Sequence, residues 1–487
     1  MYGLAYNVQD SEIFDFIISG GHKMSDTQSA AGNRIASLLD ANSFVEIGGQ
    51  VTARSTDFNL SSAATPSDGV KTGYGTVDGS LVYVYSQDAS VLGGTIGEMH
   101  ARKITNIYRL ARKMGAPVVG MIDCGGVRLE ESTDALNSLG RIFKSLAMTS
   151  GVVPQITAVF GNCGGGLSFI PALSDFTFME SSNAKLFVNS PDAIEGNSAD
   201  KEDNRTAGFQ SENGNVDFVG TADEITAAMR KLIGFLPFNN EDEGSAVPCT
   251  DDLNRTCPGL ASTVSDAADT IRVLADNGDF FEIKKDFAPC MITGFIRLNG
   301  ATCGVVANRG DEETLRARGI EKAADFISFC DSFNIPVLTL ANASGYHRCM
   351  CTERMTPKTG ARLAYAYASA TVPKVTVVTG KVYGSAYILM GSKAIGADIV
   401  YAWPTAEIGT MDAAAAAKIM NDGADADTIK AAAEEYGKLQ LGVTSAARRG
   451  YVDTIIEDAD TRKYVIGAFE MLYTKRENRP DKKHGTV

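Results

Sequence analysis

The pattern of apolar and polar positions predicts a helix over residues 98–114, because Ile104, Ile107 and Ala111 share one face of it. An uninterrupted apolar run at 117–122 follows, and it predicts a strand buried on both faces. The same reasoning predicts a second helix around 136–148 and a second buried strand at 156–160.

This order of elements returns 219 residues further on, since Pro336 follows Pro117 and Pro373 follows Pro154 by that distance. A helix predicted over 323–333 precedes the first repeated strand. Two apolar runs, kept in order and with their spacing preserved, indicate an internal duplication. We therefore predict two copies of one domain.

The remaining apolar segments complete an α/β pattern in each half. The predicted elements are a short helix at 34–39, strands at 44–47, 81–85, 295–300 and 303–308, and a hairpin-like turn at 73–79. Because these strands alternate with helices, the sheets should be mostly parallel. A polar stretch at 238–268 separates the halves, and we place the domains at 24–245 and 246–487.

Length and charge narrow the class of protein. A chain of 487 residues is too long for one core, which agrees with two domains. The net charge of −14 argues against a nucleic-acid partner and against an anionic membrane surface. Residues 1–23 are predicted to be a loosely attached leader before Met24 and not a signal peptide, because Asp15 interrupts their apolar run.

The cysteines indicate a reducing compartment. There are nine, an odd number, and most lie in apolar segments, so we predict reduced, buried thiols in a cytoplasmic protein. His347, Cys349 and Cys351 lie close together in sequence, but their spacing matches no standard zinc pattern. No bound metal is therefore predicted.

A glycine-rich turn follows the second strand of each half. Gly164, Gly165 and Gly166 come before an apolar stretch that looks like a helix, and Gly384 begins the equivalent segment in the second half. Backbone N–H groups at a helix start can hold an anion or a developing oxyanion. The alternative is that these glycines only permit tight packing, but their duplication favours a functional role.

The sequence gives little support to other catalytic mechanisms. The chain has four histidines, and none lies in a metal-binding or nucleophile-elbow pattern. A Walker A sequence is also missing. If the protein is an enzyme, it is predicted to act through backbone dipoles, with the acid–base group supplied by substrate or cofactor.

A set of ordered segments carries a family resemblance, namely 72–76, 86–88, 93–101, 125–128, 171–179, 401–408, 475–478 and 482–485. On these segments, the chain from about residue 34 to the end resembles the carboxyltransferase subunits of biotin-dependent acyl-CoA carboxylases and decarboxylases. Propionyl-CoA carboxylase β subunits and methylmalonyl-CoA decarboxylase α subunits represent the two groups. The resemblance implies a crotonase-like spiral of ββα units in each half, and a hexamer whose active sites lie between subunits.

The resemblance also implies a role for each half. The thioester oxygen of an acyl-CoA would lie on Gly165 and Gly166, and the biotin oxygen on Ser385 and Ala386. Removal of one such donor costs about 3–4 kcal/mol of barrier. Further residues are implied at the substrate side, namely Gly125, Gly126, Val127 and Ile388. Two more are implied at the biotin side, Gly384 and Tyr387.

Biotin would come from a partner, since the chain has no Ala-Met-Lys-Met biotinylation motif. The resemblance therefore implies a biotin carrier protein, together with a biotin carboxylase or a membrane decarboxylase subunit. Three functions stay open. The chain could carboxylate a short acyl-CoA of the acetyl or propionyl type, or run the reverse transfer in a decarboxylase. It could also be a non-catalytic paralogue with a scaffold role, because residues 342–362 depart from the family pattern.

Overall fold

The computed structural model describes residues 29–54, 58, 64–195, 202–242, 244–310, 313–482 and 485. The predicted leader at 1–23 lies outside these residues. Each half of the chain builds one large sheet with helices packed on it. No helix in the described ranges is long and apolar enough to cross a bilayer.

The N-terminal half holds the strands β1 to β8 and the helices α1 to α6. The strands are Val45–Glu46, Val70–Val77, Ser80–Gln87, Val118–Cys124, Gln155–Gly164, Phe176–Glu180, Lys185–Phe187 and Phe218–Gly220. The helices are Ala30–Leu38, Glu98–Met114, Ser132–Ala147, Phe169–Ala172, Ala207–Glu212 and Ala222–Phe235. The sheet order is β1-β2-β3-β4-β5-β6-β8, with β7 beside β5.

The C-terminal half holds the strands β9 to β19 and the helices α7 to α14. The strands are Phe280–Ile283, Met291–Leu298, Ala301–Asn308, Thr314–Leu315, Val337–Ala341, Gly345–Tyr346, Lys374–Val378, Lys381–Tyr383, Ile399–Ala402, Glu407–Gly409 and Thr454–Ile455. The helices are Ala267–Leu274, Ala317–Ser332, Met350–Ser369, Gly384–Leu389, Ala413–Met420, Ala426–Tyr436, Val443–Arg448 and Thr461–Leu472. The large sheet runs β9-β10-β11-β13-β15-β17-β19.

The two halves repeat one plan. In each sheet, antiparallel strands at one edge lead into parallel strands, as at β2-β3-β4 and β10-β11-β13. The parallel pairing arises because a helix crosses over between successive strands, as α2 does between β3 and β4. The predicted mostly parallel α/β architecture and its duplication are confirmed.

The predicted turn at 73–79 is wrong in extent. Strand β2 continues to Val77, and the turn is confined to Asp78 and Gly79, which have φ of 50° and 80°. Gly73 and Gly75 serve close packing instead. A Cβ on Gly73 would overlap the carbonyl oxygen of Val45 on the neighbouring strand. The two glycines therefore allow strand β1 and the end of helix α1 to pack closely against strand β2.

An aromatic cluster joins the two sheets in one apolar core. Phe176 of β6 packs edge-on against Phe329 of α8, with ring centroids 4.7 Å apart, and against Phe295 of β10 at 6.1 Å. Phe235 at the end of α6 stacks on Phe295 at 6.3 Å. The halves are thus joined by buried and half-buried rings. The domain boundary at 245/246 stays a prediction.

A pair of glycine substitutions tests how closely the N-terminal sheet is packed. Gly120 lies in β4, where an added Cβ would overlap the buried ring of Tyr85. We expect Gly120→Ala to destabilise the fold by about 1–3 kcal/mol through overpacking. Gly140 lies exposed inside α3, with no atom near the place of a Cβ. Gly140→Ala should instead stabilise by roughly 0.5–1 kcal/mol. Denaturant midpoints of the two variants should move in opposite directions, and a shared direction would contradict this account.

Candidate active site

Two glycine segments of the N-terminal half emerge side by side from adjacent parallel strands. Cys124 at the end of β4 lies opposite Cys163 of β5 in the sheet register. Residues 125–127 follow the first strand, and residues 164–166 begin at the last residue of the second. The carboxyl ends of parallel strands are where open α/β sheets bind ligands. The predicted substrate residues Gly125, Gly126 and Val127 are therefore brought to the same edge as Gly165 and Gly166.

The N-half turn, residues 164–166, leads directly into a helical segment. A 3₁₀ turn over Gly165–Ser168 continues into α4, and Gly165 has a φ of +63°. Its N-cap, Gly164, has no side chain with which to cap the first N–H groups. No described atom lies within 4 Å of a Cβ built on Gly165, and Gly166 is exposed. A ligand oxygen can thus approach the backbone closely.

Residues 125–127 are fixed by the loop before α2. The Gly125 N–H donates to the Gly93 carbonyl oxygen at 2.8 Å, and Val127 pairs with Ile96 in a parallel bridge. Gly126 has a φ of +125° and open space where a Cβ would stand. The segment therefore has a defined position although it belongs to no strand.

Arg128, which directly follows residues 125–127, fixes their position through a buried ion cluster. Its guanidinium is 1% exposed and lies 2.8 Å from Asp68 and 2.8 Å from Glu131, whose carboxylates are fully buried. It also donates to the Thr95 carbonyl oxygen at 2.8 Å. Burial raises the pKa of Asp68, and the Arg128 charge opposes that shift. Sequence reasoning gave Arg128 no structural role.

The C-half turn, residues 383–386, has the same form. Gly384 begins helix α10 with a φ of +60°, and Ser385 and Ala386 follow in its first turn. The N-cap residue Tyr383 does not cap them, because its hydroxyl bonds to the Glu407 carboxylate. The first N–H groups of a helix have no partner within the helix. The C-half turn can therefore donate to a second oxygen.

A cavity of about 420 Å³ opens beside the C-half turn. Its lining combines apolar and polar side chains from α9, α10, β14 and the turn after α10, namely Tyr346, Thr352, Glu353, Thr356, Pro357, Gly360, Ala364, Ser385, Ile388, Leu389 and Ile395. The Tyr346 hydroxyl donates to Ser385 Oγ at 3.0 Å. Ile388, implied at the acyl side, is 40% exposed and thus shares this C-half cavity with Ser385.

Tyr387 lies on the same helix and is half-buried. Burial raises its pKa to about 12, so its hydroxyl stays protonated at neutral pH. It can therefore donate a hydrogen bond but cannot serve as a general base there.

The offset of 219 residues relates the two turns residue by residue. Gly384 corresponds to Gly165, with φ of +60° against +63°. Gly345 corresponds to Gly126, and both have positive φ, +154° and +125°. By the same offset Ser385 corresponds to Gly166 and Ala386 to Leu167. The structure thus shows the same type of glycine-containing turn in both halves.

A polar side chain at the end of the preceding strand supports each turn. Asp123 and Asn342 correspond by the same offset, and a Cβ on Gly161 or Gly380 would overlap them. Such contact leaves room only for glycine. Sequence reasoning missed this pair, although the repeat itself could have shown it.

The partners of these two side chains differ. Asp123 pairs with Arg34 at 2.8 Å. Asn342 accepts from the Lys381 N–H at 3.0 Å, and its own N–H donates to Asn308 Oδ1 at 3.0 Å. The strand-end side chain of the C-terminal half is therefore held in an amide network, and that of the N-terminal half in an ion pair.

Among the described residues, no group of three or more His, Cys, Asp or Glu side chains is arranged to hold a metal ion. Of the predicted mostly buried thiols, Cys124, Cys163, Cys257, Cys303 and Cys330 are buried. Cys351 is exposed and Cys349 is half-buried, because the start of α9 lies at the surface.

This chain is similar to curated proteins over nearly its whole length. Methylmalonyl-CoA decarboxylase subunit alpha of Propionigenium modestum is 40% identical, over 96% of this chain and 96% of that protein. Propionyl-CoA carboxylase beta chain of Roseobacter denitrificans is 41% identical over the same shares. Both groups named from the sequence are thus represented among its relatives.

A crystal structure of transcarboxylase 12S, described as a hexamer assembly with hydrolysed methylmalonyl-coenzyme A bound, has the same fold. The TM-score is 0.90 at 38% identity, over 94% of this chain and 92% of the other. This match confirms the predicted crotonase-like α/β fold. The carboxyl transferase domain family matches residues 24–487, and the chain belongs to that family.

Proposed function

We propose that this chain is the carboxyltransferase subunit of a biotin-dependent acyl-CoA enzyme. It would move a carboxyl group between biotin on a carrier protein and the α-carbon of a short acyl-CoA. The observation that supports this most is the pair of matched turns, Gly165 and Gly384, each opening a helix with positive φ. A transfer that develops negative charge on two oxygens needs two such donors.

The C-half turn fits the ureido oxygen of biotin. The N–H groups of Ser385 and Ala386 are donors at a helix start, and a ureido oxygen is an acceptor. The C-half cavity offers Leu389 as an apolar wall for the biotin ring, and Ile388, implied at the acyl side, lies exposed beside it. Bound carboxylated biotin would supply the carboxyl group that is transferred.

The N-half turn would hold the thioester oxygen of the acyl-CoA. The N–H groups of Gly165 and Gly166 would donate to this oxygen, and the helix dipole of the following segment would favour its negative form. Residues 125–127 would support the acyl chain from the neighbouring strand end. Because these donors are fixed before the substrate arrives, little reorganisation is needed during the reaction.

The proposed partners follow from the relatives. A biotin carrier protein would present biotin, and a biotin carboxylase or a membrane decarboxylase subunit would complete the system. The related transcarboxylase 12S is described as a hexamer, and we propose the same assembly here, in the cytoplasm. The scaffold alternative is disfavoured because both turns keep their glycines and their supporting strand-end side chains.

The direct test is carboxyl transfer by the purified chain. Malonyl-CoA and methylmalonyl-CoA labelled in the free carboxyl group would be mixed with a biotinylated carrier protein. We expect label to reach biotin with at least one of the two, and unlabelled acyl-CoA to form in equal amount. An assembled, folded protein that transfers no label from either would contradict the proposal.

Two substitutions at one position separate the backbone donor from the side chain. Ser385→Ala removes only the hydroxyl that Tyr346 contacts, so we expect near-normal transfer. Ser385→Pro removes the backbone N–H, and we expect transfer to fall by about 10²–10³-fold. Binding of acyl-CoA, measured by calorimetry, should be unchanged in both variants. Equal activity of the two variants would contradict a donor role for the Ser385 N–H.

A further inference from the structure

Two cysteines at the start of helix α9 are placed as a reactive pair. Cys349 is the N-cap of the helix and Cys351 lies in its first turn. Their sulfur atoms are 2.6 Å apart, and neither forms a disulfide. Cys351 is exposed and Cys349 is half-buried, so a small reagent can reach them.

The helix start favours the thiolate form of Cys349. Its sulfur accepts a hydrogen bond from the Thr352 N–H at 3.4 Å, and the Thr352 hydroxyl lies 3.2 Å away. The hydrogen bond with Cys351 and those with Thr352 lower the pKa of Cys349 to about 7. A thiolate is the nucleophile in thiol–disulfide exchange, and its resolving partner is already adjacent.

Cys351 also lines a second cavity, of about 360 Å³, at the start of α9. Arg318, which is exposed, and Met355 share this cavity. Its charged lining residues are two arginines and two carboxylates, namely Arg316, Arg318, Glu212 and Asp286. The cavity therefore gives a small disulfide room beside the pair, with both signs of charge in its walls.

We propose that Cys349 and Cys351 form a redox site that a low-molecular-weight disulfide oxidises to an intramolecular disulfide. Cys349 thiolate attacks one sulfur of the reagent, which forms a mixed disulfide and releases the first thiolate. Cys351 thiolate then attacks Cys349 sulfur, which closes the protein disulfide and releases the second thiolate. The protein loses two thiol hydrogens as protons, and the reagent is reduced to two thiols.

Oxidation would change the start of α9. A sulfur held in a disulfide is a weaker acceptor than a thiolate, so the Thr352 N–H loses its cap. Thr352, Glu353 and Thr356 of this first turn line the C-half cavity together with Ser385. The disulfide should therefore loosen one wall of that cavity, a consequence that rests on the proposed function.

Oxidised glutathione is the probe for this site. Peptide mass spectrometry should find a Cys349–Cys351 disulfide, and hydrogen exchange should rise in the first turn of α9, both reversed by dithiothreitol. Cys351→Ser should instead keep glutathione on Cys349, because the resolving thiol is gone. Cys290→Ser serves as the matched control, since Cys290 lines the same 360 Å³ cavity as Cys351. It should form the disulfide as the wild type does.

These readouts do not depend on catalysis, so they separate this proposal from the proposed function. If no Cys349–Cys351 disulfide forms, or if Cys290 is required for it, the proposal is overturned. In a chain that transfers carboxyl groups, we expect oxidation to raise the KM for the biotinylated carrier by about fivefold, as loss of a helix cap would suggest. The double variant Cys349→Ser with Cys351→Ser should show no such response to oxidised glutathione.

Discussion

Replacement of Gly166 by proline should lower carboxyl transfer by about 10²–10³-fold, because proline has no N–H to donate to the thioester oxygen. The loss should appear in kcat, since the donor acts most strongly on the charge that develops in the transition state. Gly166 is exposed at the helix start, so the fold should tolerate the ring. The measurement is steady-state transfer from methylmalonyl-CoA to a biotinylated carrier.

Gly166→Ala is the matched control for this experiment. A Cβ at this position meets only Leu139 Cδ2, at 3.6 Å, which is an ordinary contact. The alanine variant keeps the N–H and should retain most of the activity. If alanine were as damaging as proline, the effect would be steric, and the donor assignment would be wrong.

Removal of the Arg128 side chain should cause the largest loss of stability. Arg128→Met would leave the carboxylates of Asp68 and Glu131 buried without their cation. Breaking a buried ion pair in this way costs about 3–5 kcal/mol. Chemical denaturation followed by circular dichroism should show a midpoint far below that of the wild type.

The control for Arg128 is an exposed arginine nearby. Arg102 lies on α2 and pairs with Glu98 at 3.1 Å, but its side chain is 62% exposed. Arg102→Met should change stability by less than about 0.5 kcal/mol, since exposed pairs contribute little. Similar losses in the two variants would show that burial of the Arg128 cluster does not set its contribution.

The spacing of apolar residues predicted the repeated elements well, because the periodicity of a helix or a strand is visible within a short segment. The helix predicted over 98–114 is observed as Glu98–Met114. The turns around Gly165 and Gly384 follow buried strands, as the sequence indicated. Both features depend on neighbours along the chain, which a single sequence displays directly.

Features that depend on distant contacts escaped prediction. Gly73 and Gly75 suggested a turn, but their role is to leave space for a neighbouring strand and the end of a helix to pack against β2. The aromatic rings that join the two sheets come from β6, α6, β10 and α8, which are far apart in sequence. Nothing in a local pattern pairs such residues.

The candidate site was predicted only in part for the same reason. Gly165 and Gly384 could be found because glycine repeats after matching strands. The hydrogen bonds between Asn342 and Asn308 could not, because they join two segments that lie 34 residues apart in the chain. The assignment of the thioester oxygen to one turn and the biotin oxygen to the other stays a proposal.

The most direct measurement is a cryo-EM structure of the assembled protein with an acyl-CoA and biotin bound together. We expect the thioester oxygen to lie about 3 Å from the N–H nitrogens of Gly165 and Gly166. The biotin ureido oxygen should lie equally close to the nitrogens of Ser385 and Ala386. If either oxygen is bound away from its turn, the account of two backbone oxyanion holes is contradicted.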